Sequence, residues 1–412
     1  MSSNLSEIIY LDNNATTPLA PEVLQAINSA AVNAFGNPSS TSSIGKAARG
    51  LINEARAEIA LMVGGKPLDI VFTSGGTECN NWVIYSVIKY FYSTLELVDR
   101  IPHVVTTNVE HDSVRLPLEE FVKEKKLEVT YLPVNPRTGV VSTTQVLNAI
   151  ESNTCLVSIM LANNETGVIF PVQEICQAVK QKTKFKQDIF FHTDASQAIG
   201  KIPINVRHLG VDYLTITGHK FYGPRIGALY VNNPGVGCPL TPIFFGGGQE
   251  RNFRPGTENT PMIIGLGAAA KLVNENLDIY AGHMLSMKEY LKTTIKKKFP
   301  EDVIHFNDEF KAGTPSLPNT VSVGFYRDDF ALFTTTALLN NMSRVVVSAG
   351  AACHASSSGV KPSAVLLSCG VSHDVAMRTL RISVGRQTNK SEVEEAVSLI
   401  YSAVCQCAQI KL

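Results

Sequence analysis

FFHTDASQAIG (residues 190–200) and YLTITGHKFYGP (residues 213–224) decide how this chain reads. Each opens as a short run of aromatic, β-branched and apolar residues, the composition of a buried strand. The first run stops at Asp194. The second stops 26 residues further on, at Lys220, in a turn flanked by Gly218 and Gly223-Pro224. Two strands that end this way can grip a small planar heterocycle carrying an aldehyde. The lysine would bond the aldehyde carbon, and the carboxylate would keep a ring nitrogen protonated so that the ring accepts electrons. The same residues allow two plainer readings, a surface lysine in a strand-exit turn and a His192-x-Asp194 metal pair. The metal reading lacks the helix with paired histidines found in zinc proteases.

Outward from this stretch the pattern repeats. Apolar or β-branched runs at residues 70–73, 104–107, 129–132, 156–161, 189–192, 213–216 and 228–231 alternate with helical periodicities at 82–92, 144–150 and 172–180. Such alternation predicts a mostly parallel sheet covered on both faces, whose ligands sit beyond the C-terminal strand ends. The residues just past the runs are Ser74-Gly75-Gly76-Thr77, Glu110-His111, Asn163-Asn164-Glu165, Asp194 with Gln197, and His219-Lys220. Polar groups with chemistry to offer therefore collect where a site belongs. Ahead of the first strand, residues 21–34 and 44–63 read as helices, with Pro21 at a first helical position and Gly64-Gly65 as a stop.

At 412 residues the chain is longer than one core usually supports, so two domains are expected. The strand-helix alternation weakens after Asn259. Residues 261–274 and 281–298 read as two helices, and Pro315-Ser316-Leu317-Pro318 opens a segment of fewer, mixed strands. The expected division is an α/β large domain over residues 14–262 and a smaller α+β C-terminal domain over 263–412, with residues 1–13 packing on the latter. Charge is balanced, 36 Lys plus Arg against 36 Asp plus Glu without long single-sign blocks, which argues against nucleic acid or an acidic membrane as partner. Eight scattered cysteines without CxxC pairs support neither a disulfide framework nor a zinc site. The first ten residues lack the pattern of a signal peptide and no apolar run approaches a spanning length, so the chain reads as soluble and cytosolic.

Several residues carry candidate roles. Ser74-Gly75-Gly76-Thr77, between a strand and a helix, offers backbone N–H groups and a hydroxyl to a phosphate, or is simply a capped Gly-rich turn. His111 can stack its ring on a planar ligand, or is a hydrogen-bonding loop residue. Cys353, in Ala351-Ala352-Cys353-His354 before a Ser-rich stretch, reads as an accessible thiol or as a free structural cysteine. Arg381, alternating with strand apolars, is a candidate clamp for a carboxylate, or a surface charge. Gly246-Gly247-Gly248 with Arg254-Pro255-Gly256-Thr257 suits an anion or a subunit contact.

Together these motifs resemble the class V branch of fold-type I pyridoxal-phosphate enzymes, the family of NifS-like cysteine desulfurases and selenocysteine lyases. The resemblance runs from Leu11-Asp12-Asn13-Asn14-Ala15-Thr16-Thr17-Pro18 to Arg381-Ile382-Ser383-Val384-Gly385-Arg386. It implies pyridoxal 5'-phosphate as cofactor, Lys220 as its Schiff-base lysine and Asp194 as the partner of its ring nitrogen. Gln197 and Asn164 would bond the phenolic oxygen side and His111 would stack on the ring. Gly76, Thr77 and His219 would hold the phosphate, with Thr217 standing where relatives carry Ser and Thr257 reaching in from a second subunit. Asn13 and Arg381 match the substrate-carboxylate positions, and Cys353 matches the catalytic cysteine. The implied reaction is decomposition of L-selenocysteine to L-alanine with release of selenide or elemental selenium, and the alternative is sulfur transfer from L-cysteine through a Cys353 persulfide. A homodimer and a selenide acceptor such as selenophosphate synthetase are the implied partners. After His354 the chain reads Ala355-Ser356-Ser357-Ser358, without the acidic residue that the resemblance leads one to expect there.

Overall fold

The computed structural model describes residues 8–94, 100–182, 188–310, 312–349 and 361–410. After β1 (Ile9–Tyr10), the strands β2 (Ile70–Thr73), β3 (His103–Thr107), β4 (Glu128–Leu132), β5 (Thr154–Ser158), β6 (Phe190–Asp194), β7 (Tyr213–Thr217) and β8 (Gly227–Val231) form one sheet. Its order is β2-β8-β7-β6-β5-β3-β4. Every strand runs the same way except β8, which is antiparallel to both β2 and β7. The sheet is thus mostly parallel, as the alternation predicts, and β8 returns by a short connection where a parallel strand would need a crossover.

Consecutive residues of the central strands feed two different cores. Val104, Leu156, Phe190 and Tyr213 pack on one face with Trp82, Val83 and Leu118. Their neighbours Val105, Val157, Phe191 and Leu214 pack on the other with Ile175, Val179 and Ile199. Burial on both faces is why these strands read as unbroken apolar runs. Strand order reverses between β3 and β5, the position where an open α/β sheet leaves a crevice beyond its C-terminal strand ends.

Further along, β9 (Ile304–Phe306), β10 (Thr320–Phe325), β11 (Val345–Val346) and β12 (Thr379–Ser383) complete the strands among the described residues. The antiparallel order β12-β10-β9 makes a small sheet, and β11 pairs in parallel with β1. Ile9 and Leu11 join the core of this part, beside Val321, Val323, Leu380 and Ile382. The helix Lys390–Ala408, opened by an Asn389/Glu392 capping box, contributes Val393, Val397 and Ile400 to the same core.

Where the sequence predicts two helices, the structure has one of 39 residues, Thr260–Lys298. Its first turns place Ile263, Leu266 and Val273 in the large core, and its last place Met284, Leu291 and Ile295 in the small one. The gap in apolar periodicity around Glu275 is the passage between two cores, not a break, since no Gly or Pro interrupts it. The first half lies against the helices Pro21–Asn33 and Ser43–Val63. A Cβ on Gly267 would stand 2.5 Å from Ala55 Cα, so that crossing requires glycine. Gly267→Val is expected to destabilise the protein by about 1–3 kcal/mol or more through overpacking, read as a lower urea midpoint.

Candidate active site

Asp194 ends β6, and the turn Gly218–Lys220 follows directly on the adjacent parallel strand β7. The carboxylate of Asp194 is nearly buried. Its Oδ2 accepts from Asn80 Nδ2 at 2.8 Å and its Oδ1 from Ser196 N at 2.9 Å. Because a carboxylate only accepts, Asn80 must present its NH2 there, which turns Asn80 Oδ1 toward Thr215 Oγ1, its donor at 2.6 Å. Thr215 has then spent its proton, so it accepts from His192 Nε2 at 3.1 Å, and His192 Nδ1 accepts from Ser158 Oγ at 2.8 Å. Burial holds the His192 imidazole neutral, pushing it down to about 4 against the pull of Asp194. Both ring nitrogens are engaged by hydroxyls, which removes the His-x-Asp metal pair as a reading of this stretch.

Asn80 Nδ2 also donates to Ser113 Oγ at 2.8 Å, which leaves that hydroxyl to donate to His111 Nδ1 at 2.8 Å. His111 N-caps the helix Asp112–Lys123 through Ser113 N and is itself exposed. One buried amide, Asn80, thus orders Asp194, His111 and His192. Sequence reading passed over it because it lies one turn inside the helix Gly76–Thr94 rather than at a strand end.

Lys220 Nζ donates to the backbone oxygens of Asn14 at 2.6 Å and Ala15 at 2.9 Å. Gln197 Nε2 donates to the same Asn14 oxygen at 3.0 Å. Beneath them lies Lys201, also unremarked in the sequence, with Nζ on Gln197 Oε1 at 3.0 Å and Asn14 Oδ1 at 3.1 Å.

A second cluster surrounds Gly76. Ser196 and Thr217 hydroxyls are 2.7 Å apart, and a Cβ on Gly76 would fall 2.3 Å from Thr217 Oγ1. The glycine therefore lets the first turn of the helix Gly76–Thr94, with exposed Thr77, come down onto that hydroxyl pair. His219 Nδ1 meets Thr16 Oγ1 at 3.1 Å, and burial with Lys220 and Arg225 pushes its imidazole down to about 4. Thr257 does not join this cluster within its own chain. It is exposed and lines a cavity of about 300 Å³ with Ser74, Arg225 and Arg254.

Arg381, on β12, donates to Asn164 O at 2.9 Å and to Asp12 Oδ1 at 2.8 Å. Asn13 Nδ2 donates to Ser383 O at 2.9 Å, two residues along the same strand. Asn13, Asn164 and Arg381 are therefore brought together from three distant parts of the chain. Cys353 lies outside the described residues.

The class-V aminotransferase family profile matches residues 9–396. The chain belongs to that family. Selenocysteine lyase of the rat is 48% identical over 97% of this chain and 94% of the relative. Cysteine desulfurase IscS of Methanosarcina thermophila is 38% identical over 97% and 92%. A solved NifS-like protein superposes with a TM-score of 0.83 at 33% identity, over 96% of this chain and 98% of that one. This class-V chain is a fold-type I enzyme dependent on pyridoxal 5'-phosphate.

The residues present fit that cofactor. Hydroxyls and a helix N-terminus around Gly76 suit its phosphate, an oriented buried carboxylate suits its ring nitrogen, and Lys220 closes the next strand. No group of three or more His, Cys, Asp or Glu side chains that could hold a metal occurs among the described residues. No described helix is long and apolar enough to cross a membrane.

Two measurements probe this site. Asn80→Leu strips donors from Asp194 and Ser113 and is expected to lower unfolding free energy by about 1–3 kcal/mol in urea melts. Glu110, whose Oε1 accepts from Thr107 Oγ1 and Met160 N, is pushed by burial from 4.5 up to about 8, with the Asp194 charge adding to the shift. The folded protein keeps this proton and the unfolded chain releases it near 4.5. Its stabilisation is thus complete below 4.5 and is lost as pH rises through about 8. Glu110→Gln is expected to flatten the decline of stability across that window, and a slope equal to wild type would assign the decline to another group.

Proposed function

We propose that this class-V enzyme decomposes L-selenocysteine to L-alanine and elemental selenium, or selenide where a reductant is supplied. The observation that carries the reading is the pairing of Asp194 and Lys220 at the ends of adjacent parallel strands, with the Gly76–Ser196–Thr217 cluster beside them. When bound, pyridoxal phosphate supplies an electron sink that labilises the Cα–H and Cβ–Se bonds of an amino acid.

The protein's own groups then have separable tasks. Asp194, its orientation fixed by Asn80 and Ser196, holds the proton on the ring nitrogen. Gly76, Thr77, Thr217 and His219 would hold the phosphate, Gln197 and Asn164 the phenolic side, and the exposed His111 ring would meet the ring face. Thr257 reaches the phosphate from a second copy of the chain, making the working unit a homodimer. Lys220 Nζ holds the cofactor and carries the Cα proton as general base, and its two carbonyl partners keep it aimed. Asn13 and Arg381 bind the substrate carboxylate, Arg381 exchanging Asp12 for it. Cys353 takes up the departing selenium as a thiol-bound selenium atom while the Cβ–Se electron pair stays on the substrate carbon, which is protonated to alanine. The selenium leaves as the element or, with a reductant, as selenide to an acceptor such as selenophosphate synthetase.

Greater identity to relatives named selenocysteine lyase than to those named cysteine desulfurase supports selenium over sulfur as the atom removed. The 38% match supports, as the second reading, sulfur transfer from L-cysteine through a Cys353 persulfide. Purified protein is expected to turn over L-selenocysteine faster than L-cysteine, and a reversed ratio would select the second reading. Lys220→Ala is expected to abolish turnover. Cys353→Ala is expected to depress selenium release while leaving cofactor affinity within about twofold, a change of roughly 0.4 kcal/mol.

A further inference from the structure

Lys201 is a buried lysine beside the site, and the proposed chemistry does not use it. It stands four residues after Gln197 and only 3% of its surface is exposed. The partners of Nζ among the described residues are two amide oxygens, Gln197 Oε1 at 3.0 Å and Asn14 Oδ1 at 3.1 Å, and no carboxylate pairs with it. An unpaired charge in such a place is unfavourable, and burial together with Lys220, Arg381 and Arg386 pushes the amine well down. Nζ donates to both of these oxygens.

That arrangement has a consequence for Gln197. A primary amide can be rotated by half a turn to exchange its oxygen and nitrogen, and only its partners decide which way it faces. Here Lys201 Nζ donates to the oxygen while the backbone carbonyl of Asn14 can only accept, so Nε2 is turned to the other side. There it donates at 3.0 Å to Asn14 O, the atom that also receives Lys220 Nζ at 2.6 Å. The second N–H of Lys201 fixes Asn14 in the same manner. Asn14 Oδ1 receives it together with Asn319 Nδ2 at 2.9 Å, leaving Asn14 Nδ2 to donate to Thr320 Oγ1 at 2.8 Å.

We propose that Lys201 is a positioning residue for the lyase reaction, holding the Gln197 amide with its N–H toward Lys220 and the phenolic oxygen of the cofactor. The proposal rests on the assignment of Lys220 and Gln197 made above. Without the Lys201 donor, Gln197 Oε1 loses its partner and Asn14 O alone is left to hold the amide. Held from one side only, the amide would be less firmly placed, and the ionised phenolic form of the cofactor would be less well met by its donor.

The test uses apo-protein titrated with pyridoxal phosphate and reads two quantities besides turnover. These are the dissociation constant and the ratio of the two absorption bands that distinguish ionised from un-ionised phenolic oxygen. Lys201→Met is expected to weaken binding about tenfold and to shift the bands toward the un-ionised form, with the melting temperature of the apo-protein confirming that the fold persists. Gln197→Met is expected to give the same shift, and the double variant to be no worse than either single change. An unchanged dissociation constant and spectrum in Lys201→Met, or additive losses in the double variant, would overturn the proposal. Should Lys201→Met fail to fold, the same cycle run with Lys201→Gln decides by the same two outcomes. A wild-type protein that does not bind the cofactor defeats the functional reading itself, whereas wild-type binding with wild-type-like Lys201 variants defeats only the role of Lys201.

Discussion

Asn14 is completely buried, and every polar atom it has is committed. Its N–H donates to Ser383 Oγ, its carbonyl accepts from Lys220 and Gln197, its Oδ1 from Lys201 and Asn319, and its Nδ2 donates to Thr320. The donors and acceptors come from the end of β7, the turn after β6, and strands β10 and β12 of the small sheet. One residue therefore sets the position of the site lysine relative to the sheet that carries Arg381. Replacing it would leave several buried polar groups without partners at once, and each such loss costs about 1–3 kcal/mol. The site is built around this residue, and the two sheets meet at it.

The second constraint is electrostatic. On the proposed reading, Asp194 holds a proton on a ring nitrogen while itself mostly out of water. The protein surrounds Asp194 with donors that carry no charge, Asn80 and Ser196, and backs it with a His192 that burial keeps neutral. Glu110, buried near Asp194, keeps its proton to about pH 8, so a second negative charge is avoided. Donation runs toward the carboxylate from Ser158 through His192, Thr215 and Asn80, and away from Asn80 through Ser113 to His111. Every hydroxyl orientation follows from the single fact that a carboxylate cannot donate.

This logic explains what the sequence made visible. Strand ends were legible because the parallel strands are buried on both faces, so Asp194, His111 and Lys220 each followed a recognisable apolar run. Gly76 stood out as the glycine of a strand-to-helix turn. Asn80 and Lys201 were not legible, because each lies beyond a strand end, where an amide or a lysine gives no periodic signal of burial. The continuity of Thr260–Lys298 was missed for a related reason: amphipathicity reports which core a helix face meets, and this helix changes cores midway. The reversal of β8 left no mark either, since Ala228, Leu229 and Val231 would be buried in either direction. The meeting of Asn13, Asn164 and Arg381 depends on pairing across more than 200 residues, which no local pattern encodes.

The turn after Lys220 shows how tightly these demands are coupled. Tyr222 sits in the left-handed region at φ 68, where a residue with a Cβ is strained, and glycine would sit there more easily. Glycine would, however, remove the groups that hold the turn to its surroundings. The Tyr222 hydroxyl accepts from Arg386 N at 2.7 Å and donates to Asn13 Oδ1 at 3.3 Å, while its ring lies 4.5 Å beneath the Arg386 guanidinium. Its backbone N–H, which glycine would retain, donates to Thr17 Oγ1 at 2.7 Å. The chain must reverse within two residues of the lysine to let Gly223 pass the Gly218 carbonyl, which a Cβ on Gly223 would approach to 3.0 Å. The reversal imposes the strained conformation, and the clamp on Asn13 and Arg386 is what makes a tyrosine worth keeping in it. Strain beside Lys220 is therefore balanced by contacts that simultaneously orient Asn13, so the lysine turn and the Asn13–Arg381 cluster cannot relax independently.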